Sequence, residues 1–258
     1  MKIIAGILLI SSLLIGQVPA EVISSFWQNK KSQHFVVYYQ EAPAGFLDEL
    51  IYKAEDYYNS IVDELGFRRF DFWSWDNRAK IYLYRNSDEF RKDANRANWS
   101  GAVVTVANRT IESFIGQSGF FDSILPHEMA HIIFREFVGQ KVVLPLWIDE
   151  GVACSQERSY LLGRMQFAKN LVLQNKYLKF SKLFEIYQLG SDIQPQTFYS
   201  QSASIVVFLI RQYGKESFLD FSRKIRDGVH WQKALLSAFR FNDFNEMEEA
   251  WKAFMLKS

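Results

Sequence analysis

Two of the chain's four histidines lie four positions apart, in the segment LPHEMAHIIF (Leu125 to Phe134). On a helix this spacing is about 400° of rotation, so His127 and His131 leave the same face one turn apart. Two neutral imidazole nitrogens placed in this way can reach one zinc ion at about 2 Å each. Glu128 lies about 100° further round the helix, where its carboxylate can take a proton from a metal-bound water. The segment therefore predicts two metal ligands and a general base.

The alternative interpretation is that this segment is part of an ordinary core helix. Histidine is rare in the chain. A sequence of this composition would contain the pattern by chance in on the order of a few per thousand chains. Burying an unpaired carboxylate such as that of Glu128 is also costly. Both arguments favour the metal interpretation.

A third ligand is available in the segment PLWIDEGVA (Pro145 to Ala153). A catalytic zinc ion needs three protein ligands and one open position for water. Glu150 follows His131 after eighteen intervening residues, and a loop at residues 139–146 can bring a second helix alongside the first. The sequence thus predicts that His127, His131 and Glu150 hold one zinc ion.

These residues carry a family resemblance. The HEMAH segment followed after eighteen residues by Glu150 resembles the gluzincin metallopeptidases. WIDEGVA is similar to the W-x-x-E-G-x-A helix of the alanyl-aminopeptidase-like branch and of the shorter bacterial peptidase MA-like proteins. The resemblance covers roughly Phe35 to Ile225, and it implies a zincin-like fold, a zinc ion held by His127, His131 and Glu150, and Glu128 as the base.

The same resemblance implies a second catalytic residue, a tyrosine on a later helix that hydrogen-bonds the oxyanion of the tetrahedral intermediate. The matching segment is FYSQSASIVVFLIRQYGKESFLDF, and Tyr199 is its tyrosine. Two departures argue against an aminopeptidase. Gln201 and Ser202 stand where aminopeptidases carry Lys-Gly. Aminopeptidases also have a Gly-Ala-Met-Glu-Asn strand whose glutamate binds the free amine of the substrate, and its positional counterpart here is only GAVV at residues 101–104. We therefore expect an endopeptidase, or a hydrolase with a narrow substrate range.

Other residues near the motif have more than one interpretation. Asp149 either accepts a hydrogen bond from a metal-bound histidine or is a helix-start carboxylate favoured by the dipole. Cys154 shares the face of Glu150, so it either borders the metal site or is a small packed residue. His34 and His230 have no partner that the sequence reveals.

Composition bounds the class of protein. The 258 residues are enough for one large domain or two small ones, and 48% hydrophobic residues allow a sizeable core. A net charge of +1 argues against nucleic-acid binding, which needs a basic face.

The first twenty residues read as a signal peptide. Lys2 precedes an apolar run from Ile3 to Ile15, and Val18-Pro19-Ala20 supplies small residues for cleavage before Glu21. The alternative is an uncleaved N-terminal anchor, although the run is shorter than the roughly 20 residues of a membrane span. No later segment reads as a span. With Cys154 as the only cysteine, an exported protein fits the periplasm or a bacterial secreted fraction.

The remaining sequence predicts an α+β fold, with strands and one long helix followed by helices. The strands are expected at 34–40, 79–85, 101–107 and 109–116, the last two as a hairpin or one bent strand. Ser87 and Ser123 are the expected N-caps of two helices. Helices are expected at 44–65, 88–94, 123–138, 147–158, 163–173, 181–188, 198–213, 215–226, 230–239 and 243–257.

We interpret residues 21–258 as one catalytic domain, with a sheet lobe (21–120), a helical lobe (121–258) and a cleft near 115–150. The expected activity is zinc-dependent hydrolysis of a peptide or protein substrate. The strand at 101–107 is a candidate edge for pairing with an extended peptide. The alternative function is a catalytically silent zinc-binding scaffold of the same fold.

Overall fold

The computed structural model describes residues 27–67, 73–92 and 101–257. The expected signal peptide at 1–20 and the end of the helix expected at 88–94 lie outside these ranges. Within them, no helix combines the length and apolar character needed to cross a bilayer.

The described part of the chain contains a five-stranded sheet with the strand order β1-β2-β3-β5-β4. The inner pairs β2–β3 and β3–β5 are parallel, whereas the edge pairs β1–β2 and β4–β5 are antiparallel. In register, Phe35 lies opposite Ala79, and Lys80 lies opposite Thr110. The strands are β1 (Gln28–Lys31), β2 (Phe35–Tyr39), β3 (Ala79–Tyr84), β4 (Ala102–Thr105) and β5 (Thr110–Phe114).

The four predicted strands are confirmed, and the last two form a hairpin. A short 3-10 turn at Val106–Asn108 connects β4 to β5, and Arg109 closes it in the left-handed region with a φ of 51°. β1 was not predicted, because its sequence QNKK has no apolar residue. It pairs at the sheet edge through its backbone, which needs no buried side chain.

Ten α-helices are described in addition to the short turns, and the predicted helical part after residue 122 is confirmed. The helix expected at 181–188 is shorter than predicted. Asn86, not Ser87, caps α2, because the Asn86 Oδ1 accepts hydrogen bonds from the backbone N–H groups of Asp88 and Glu89 at 3.0 Å. The helices are α1 (Phe46–Glu64), α2 (Ser87–Lys92), α3 (Leu125–Val138), α4 (Leu146–Ser155), α5 (Leu161–Leu173), α6 (Phe180–Leu183), α7 (Pro195–Tyr213), α8 (Lys215–Arg226), α9 (Trp231–Phe239) and α10 (Phe244–Lys257).

One apolar core connects the sheet with the helices. Alternate residues of the strands, such as Phe35, Ile81 and Ile111, are fully buried on the sheet face that α1 and α3 cover. α3 also contacts α4 and α8, and almost every residue of α3 is buried. The small N-terminal mixed sheet and the mostly helical C-terminal part form the predicted α+β, zincin-like fold, with α3 between the two.

Candidate active site

Helix α3 places the two histidines in its first two turns. It continues directly from a π-helical turn at Phe120–Ile124, which begins after Gly119 at a φ of 72°. Ser123 was expected to cap α3, but it lies inside this turn, and its Oγ is 2.6 Å from the Oγ of Ser159. α3 ends at Gly139 as expected. Because the preceding turn already supplies helical backbone, α3 needs no side-chain cap.

Three side-chain donor atoms converge between α3 and α4. The Nε2 atoms of His127 and His131 are 3.2 Å apart, and the Oε2 of Glu150 is 3.7 Å from the first and 3.8 Å from the second. The three residues are at most 2% exposed. The structure thus brings together the three predicted metal ligands.

The spacing of these atoms fits a single zinc ion. Tetrahedral ligands with zinc bonds of about 2.0–2.2 Å are separated from each other by about 3.4 Å. The observed separations of 3.2, 3.7 and 3.8 Å lie around that value. Two imidazole nitrogens and a carboxylate are also the donor set of many catalytic zinc sites. By geometry and by chemistry, the residues fit this metal.

A carboxylate lies beside the other ring nitrogen of each histidine. The Nδ1 of His127 is 2.8 Å from the Oε1 of Glu157, and the Nδ1 of His131 is 3.4 Å from the Oδ1 of Asp149. Arg135 donates to the other oxygen of Asp149 at 3.0 Å. In a neutral imidazole, a carboxylate beside Nδ1 favours the hydrogen on that nitrogen and leaves the lone pair on Nε2, which here faces the cluster.

The pKa values within this cluster follow from its burial and its charges. Burial disfavours the protonated imidazole of His131, but the neighbouring carboxylates of Asp149 and Glu150 outweigh it and raise the pKa of His131 to about 9. Burial would raise the pKa of Glu157, but the hydrogen bond from His127 and the charge of Arg164 lower it. Asp149 is held ionised in the same way by His131 and Arg135.

Glu128 lies in the first turn of α3, one position after His127, and it is 4% exposed. Burial raises the pKa of its carboxyl group, while the charges of His127 and His131 oppose this rise. A carboxylate whose pKa is raised accepts a proton more readily than an ordinary exposed carboxylate.

Tyr199 lies in the N-terminal part of α7, which packs against α4. Burial and the nearby charge of Glu150 raise the pKa of its phenol far above the usual value. The guanidinium carbon of Arg164 is 5.9 Å from the centre of its ring. Tyr199 is therefore a neutral hydrogen-bond donor in the immediate surroundings of the cluster.

A model of the Peptidase MA superfamily matches residues 75–257, more than two thirds of the chain. The chain belongs to this family. No curated protein matches it. Membership in the Peptidase MA superfamily supports the resemblance to metallopeptidases at the level of the superfamily. The matched region includes every residue of the predicted site.

In this Peptidase MA superfamily member, Cys154 borders the cluster of candidate metal ligands. Its Sγ is 3.9 Å from the Nδ1 of His127, and with Glu157 these atoms form a second group close enough to share an ion. Arg164 already pairs with both oxygens of Glu157, so its guanidinium neutralises that carboxylate without a metal ion. Burial raises the pKa of the Cys154 thiol, so it remains protonated. We interpret Cys154 as a small packed residue beside His127.

Sequence reasoning missed Glu157 and Arg164. Glu157 lies just after α4, and no local pattern distinguishes it from other acidic residues near a helix end. Asp149 lies in the first turn of α4, and its Oδ1 is 3.4 Å from the Nδ1 of His131, so its position is compatible with both interpretations offered for it. His34 is outside the cluster and pairs with Glu55 at 2.5 Å.

Proposed function

We propose that this Peptidase MA superfamily member is a zinc-dependent hydrolase of peptide bonds, with His127, His131 and Glu150 as ligands. The observation that carries the proposal is the convergence of two Nε2 atoms and one carboxylate oxygen at 3.2–3.8 Å. Proteins of the superfamily are typically zinc-dependent, which supports the choice of metal.

Two further residues of the chain would act on the substrate. A bound zinc ion would supply Lewis-acid activation of water and of the scissile carbonyl. Glu128 would take the proton of the attacking water and pass it to the leaving amine, a role its raised pKa favours. Tyr199 would donate its O–H to the developing oxyanion without carrying charge itself.

The edge strand β4 supports an endopeptidase, and the spacing between the HEMAH segment and Glu150 suggests one of the gluzincin type. β4 has no neighbour on its outer side among the described strands and contacts α3. An extended peptide could add to it by backbone hydrogen bonds. Its sequence AVVT offers no carboxylate that could bind a free substrate amine. We therefore propose cleavage within chains, or of a narrow set of substrates, over general aminopeptidase activity.

The alternative function is a zinc-binding scaffold without turnover. The observation that favours it is burial, because a scissile carbonyl must reach the metal for cleavage. The four residues concerned are each at most 4% exposed: His127, Glu128, His131 and Glu150.

The deciding experiment uses the form with residues 21–258, its zinc content and a peptide-library digest with and without chelator. Zinc at one equivalent with chelator-sensitive cleavage inside peptides supports the proposal. Zinc without cleavage supports the scaffold, and release of single N-terminal residues would overturn the endopeptidase assignment.

We also propose that the protein is exported, from the charge and apolar run of its first twenty residues. N-terminal sequencing after expression in a bacterial host tests this. A mature N-terminus at Glu21 is expected, and a retained Met1 in the membrane fraction would instead support the anchor.

A further inference from the structure

Arg164 holds Glu157 in a two-point contact behind the cluster of candidate metal ligands. It lies in the first turn of α5, where its Nε donates to the Oε2 of Glu157 at 2.8 Å and its Nη2 donates to Oε1 at 2.9 Å. The side chains are 19% and 2% exposed, so the pair is largely removed from water. A planar fork of this kind fixes the orientation of a carboxylate, which a single ammonium group does not.

The orientation of Glu157 determines that of His127. The Glu157 oxygen that receives the Nη2 of Arg164 also lies 2.8 Å from the Nδ1 of His127. Arg164 thus fixes the acceptor that keeps the hydrogen on Nδ1, and with it the direction in which the Nε2 of His127 faces Glu150.

The same guanidinium contacts the candidate oxyanion donor. Its central carbon is 5.9 Å from the centre of the Tyr199 ring, within the range of a cation–π contact. α5, which carries Arg164, also packs against α7, which carries Tyr199. One side chain therefore links a ligand from α3 to a phenol from α7.

We propose that Arg164 is a positioning residue that aligns His127 through Glu157 and aligns Tyr199 by direct contact. The inference rests on the proposed function. The competing explanation is that Arg164 only neutralises a buried carboxylate. Any cation would then suffice, so Arg164→Lys separates the two explanations.

The first measurement is the zinc affinity of metal-free protein, by competition with a chelator of known affinity. Arg164→Lys should weaken zinc binding about 10-fold or more, the size typical for partners of metal ligands. The matched control is Arg158→Lys, because Arg158 pairs with Glu64 at the surface and both side chains are 42% exposed. The control should bind zinc as the parent does. An Arg164→Lys variant with the parent's zinc affinity would overturn the role toward His127.

The second measurement concerns Tyr199, with zinc saturating and a library-derived peptide as substrate. Arg164→Lys should lower kcat roughly 10-fold with little change in KM, and this effect should largely disappear in a Tyr199→Phe background. Independent, multiplicative effects of the two changes would overturn the role toward Tyr199. A parent that binds zinc but cleaves no peptide would refute the proposed hydrolysis and the Tyr199 role together. The zinc affinities would still decide the His127 role.

Discussion

At the scale of single residues, Glu128 differs from the three donors beside it. It lies on the same helix as His127 and His131, but its carboxylate is not one of the atoms that converge. Its protonation, not metal binding, is what the proposed chemistry requires.

Replacing Glu128 by glutamine should therefore separate metal binding from catalysis. Glu128→Gln keeps the size of the side chain and all three donors but removes the proton acceptor, so kcat should fall by about 10²–10⁴-fold. Zinc content, measured on the same samples, should remain that of the parent. Glu136→Gln is the matched control, because Glu136 lies two turns later on α3, away from the cluster. Its Oε2 accepts a hydrogen bond from the Nε1 of Trp73 at 2.6 Å. Cleavage by Glu128→Gln at the parent's rate would show that another group is the base.

The residues of the cluster differ in how far the sequence could predict them. His127, Glu128 and His131 are close in sequence, and helical geometry alone relates them. Glu150 required the assumption that a second helix returns alongside the first. Glu157 contacts His127, and Arg164 contacts Glu157, only because the fold brings α3, α5 and the end of α4 together. No spacing in the sequence encodes that contact.

At the scale of helices and strands, Gly151 determines how closely α4 approaches α7. A Cβ atom at this position would lie 2.7 Å from the carbonyl oxygen of Ser202 and 2.9 Å from Val206. The first of these contacts is with a backbone atom, which cannot relieve the overlap by a change of side-chain rotamer. Because Gly151 follows Glu150 and Ser202 lies three positions after Tyr199, this contact also sets the distance between the Glu150 carboxylate and the Tyr199 phenol.

Gly151→Ala should force α4 and α7 apart. We expect a loss of about 1–3 kcal/mol in the free energy of unfolding from overpacking, and weaker zinc binding because Glu150 moves with α4. Gly163→Ala is the matched control on the neighbouring helix α5, where a Cβ would meet nothing within 4 Å. It should raise stability by up to about 1 kcal/mol, the helix propensity gained. Equal denaturant midpoints for the two variants would contradict the close approach of α4 and α7.

Glu55 connects α1 to β2 and gives a prediction on pH. Its carboxylate accepts hydrogen bonds from the backbone N–H of His34 at 2.9 Å and from the His34 ring at 2.5 Å. Burial raises the pKa of Glu55, but the hydrogen bonds from His34 and Ser32 outweigh it and leave the pKa below the usual 4.5. Since the folded-state pKa is the lower one, this contribution is complete above pH 4.5 and is lost as the pH falls through the folded value.

Glu55→Gln should accordingly lower the melting temperature at pH 7 by a few degrees, as expected for about 1 kcal/mol. At pH 3 the difference between variant and parent should shrink, because a larger share of the parent carboxylate is then protonated than at pH 7. Thermal melts at both values measure it. A difference that grows on acidification would refute the sign.

Secondary structure was predictable where apolar periodicity or alternation was strong. β3 and α1 follow such patterns and lie where the sequence placed them. β1 has no apolar residue, and the π-helical turn before α3 has no recognised signal. Both depend on neighbouring elements, β1 on pairing with β2 and the turn on contacts with the segment around Ser159.

At the scale of the whole molecule, the proposed metal site joins the two most buried helices. Ligands come from α3, which packs against the sheet, and from α4, which packs against α7. Two imidazoles and a carboxylate are thereby held close together in a region almost free of solvent, where an interaction with a cation is weakly screened. A cation bound between them would favour the folded state, because the unfolded chain does not hold the three donors together.

Removal of zinc should therefore lower the stability of the entire domain. With zinc at about 1,000 times its dissociation constant, the expected stabilisation is about 4 kcal/mol, which a chelator would abolish. Calorimetric melts of the parent with zinc and with chelator should differ by several degrees, and the shift should depend on the logarithm of free zinc. Glu150→Gln provides the control, because it removes one ligand while changing the volume little, and its melting temperature should respond to zinc far less. An equal zinc-dependent shift in parent and Glu150→Gln would mean that the ion stabilises the protein from a different site.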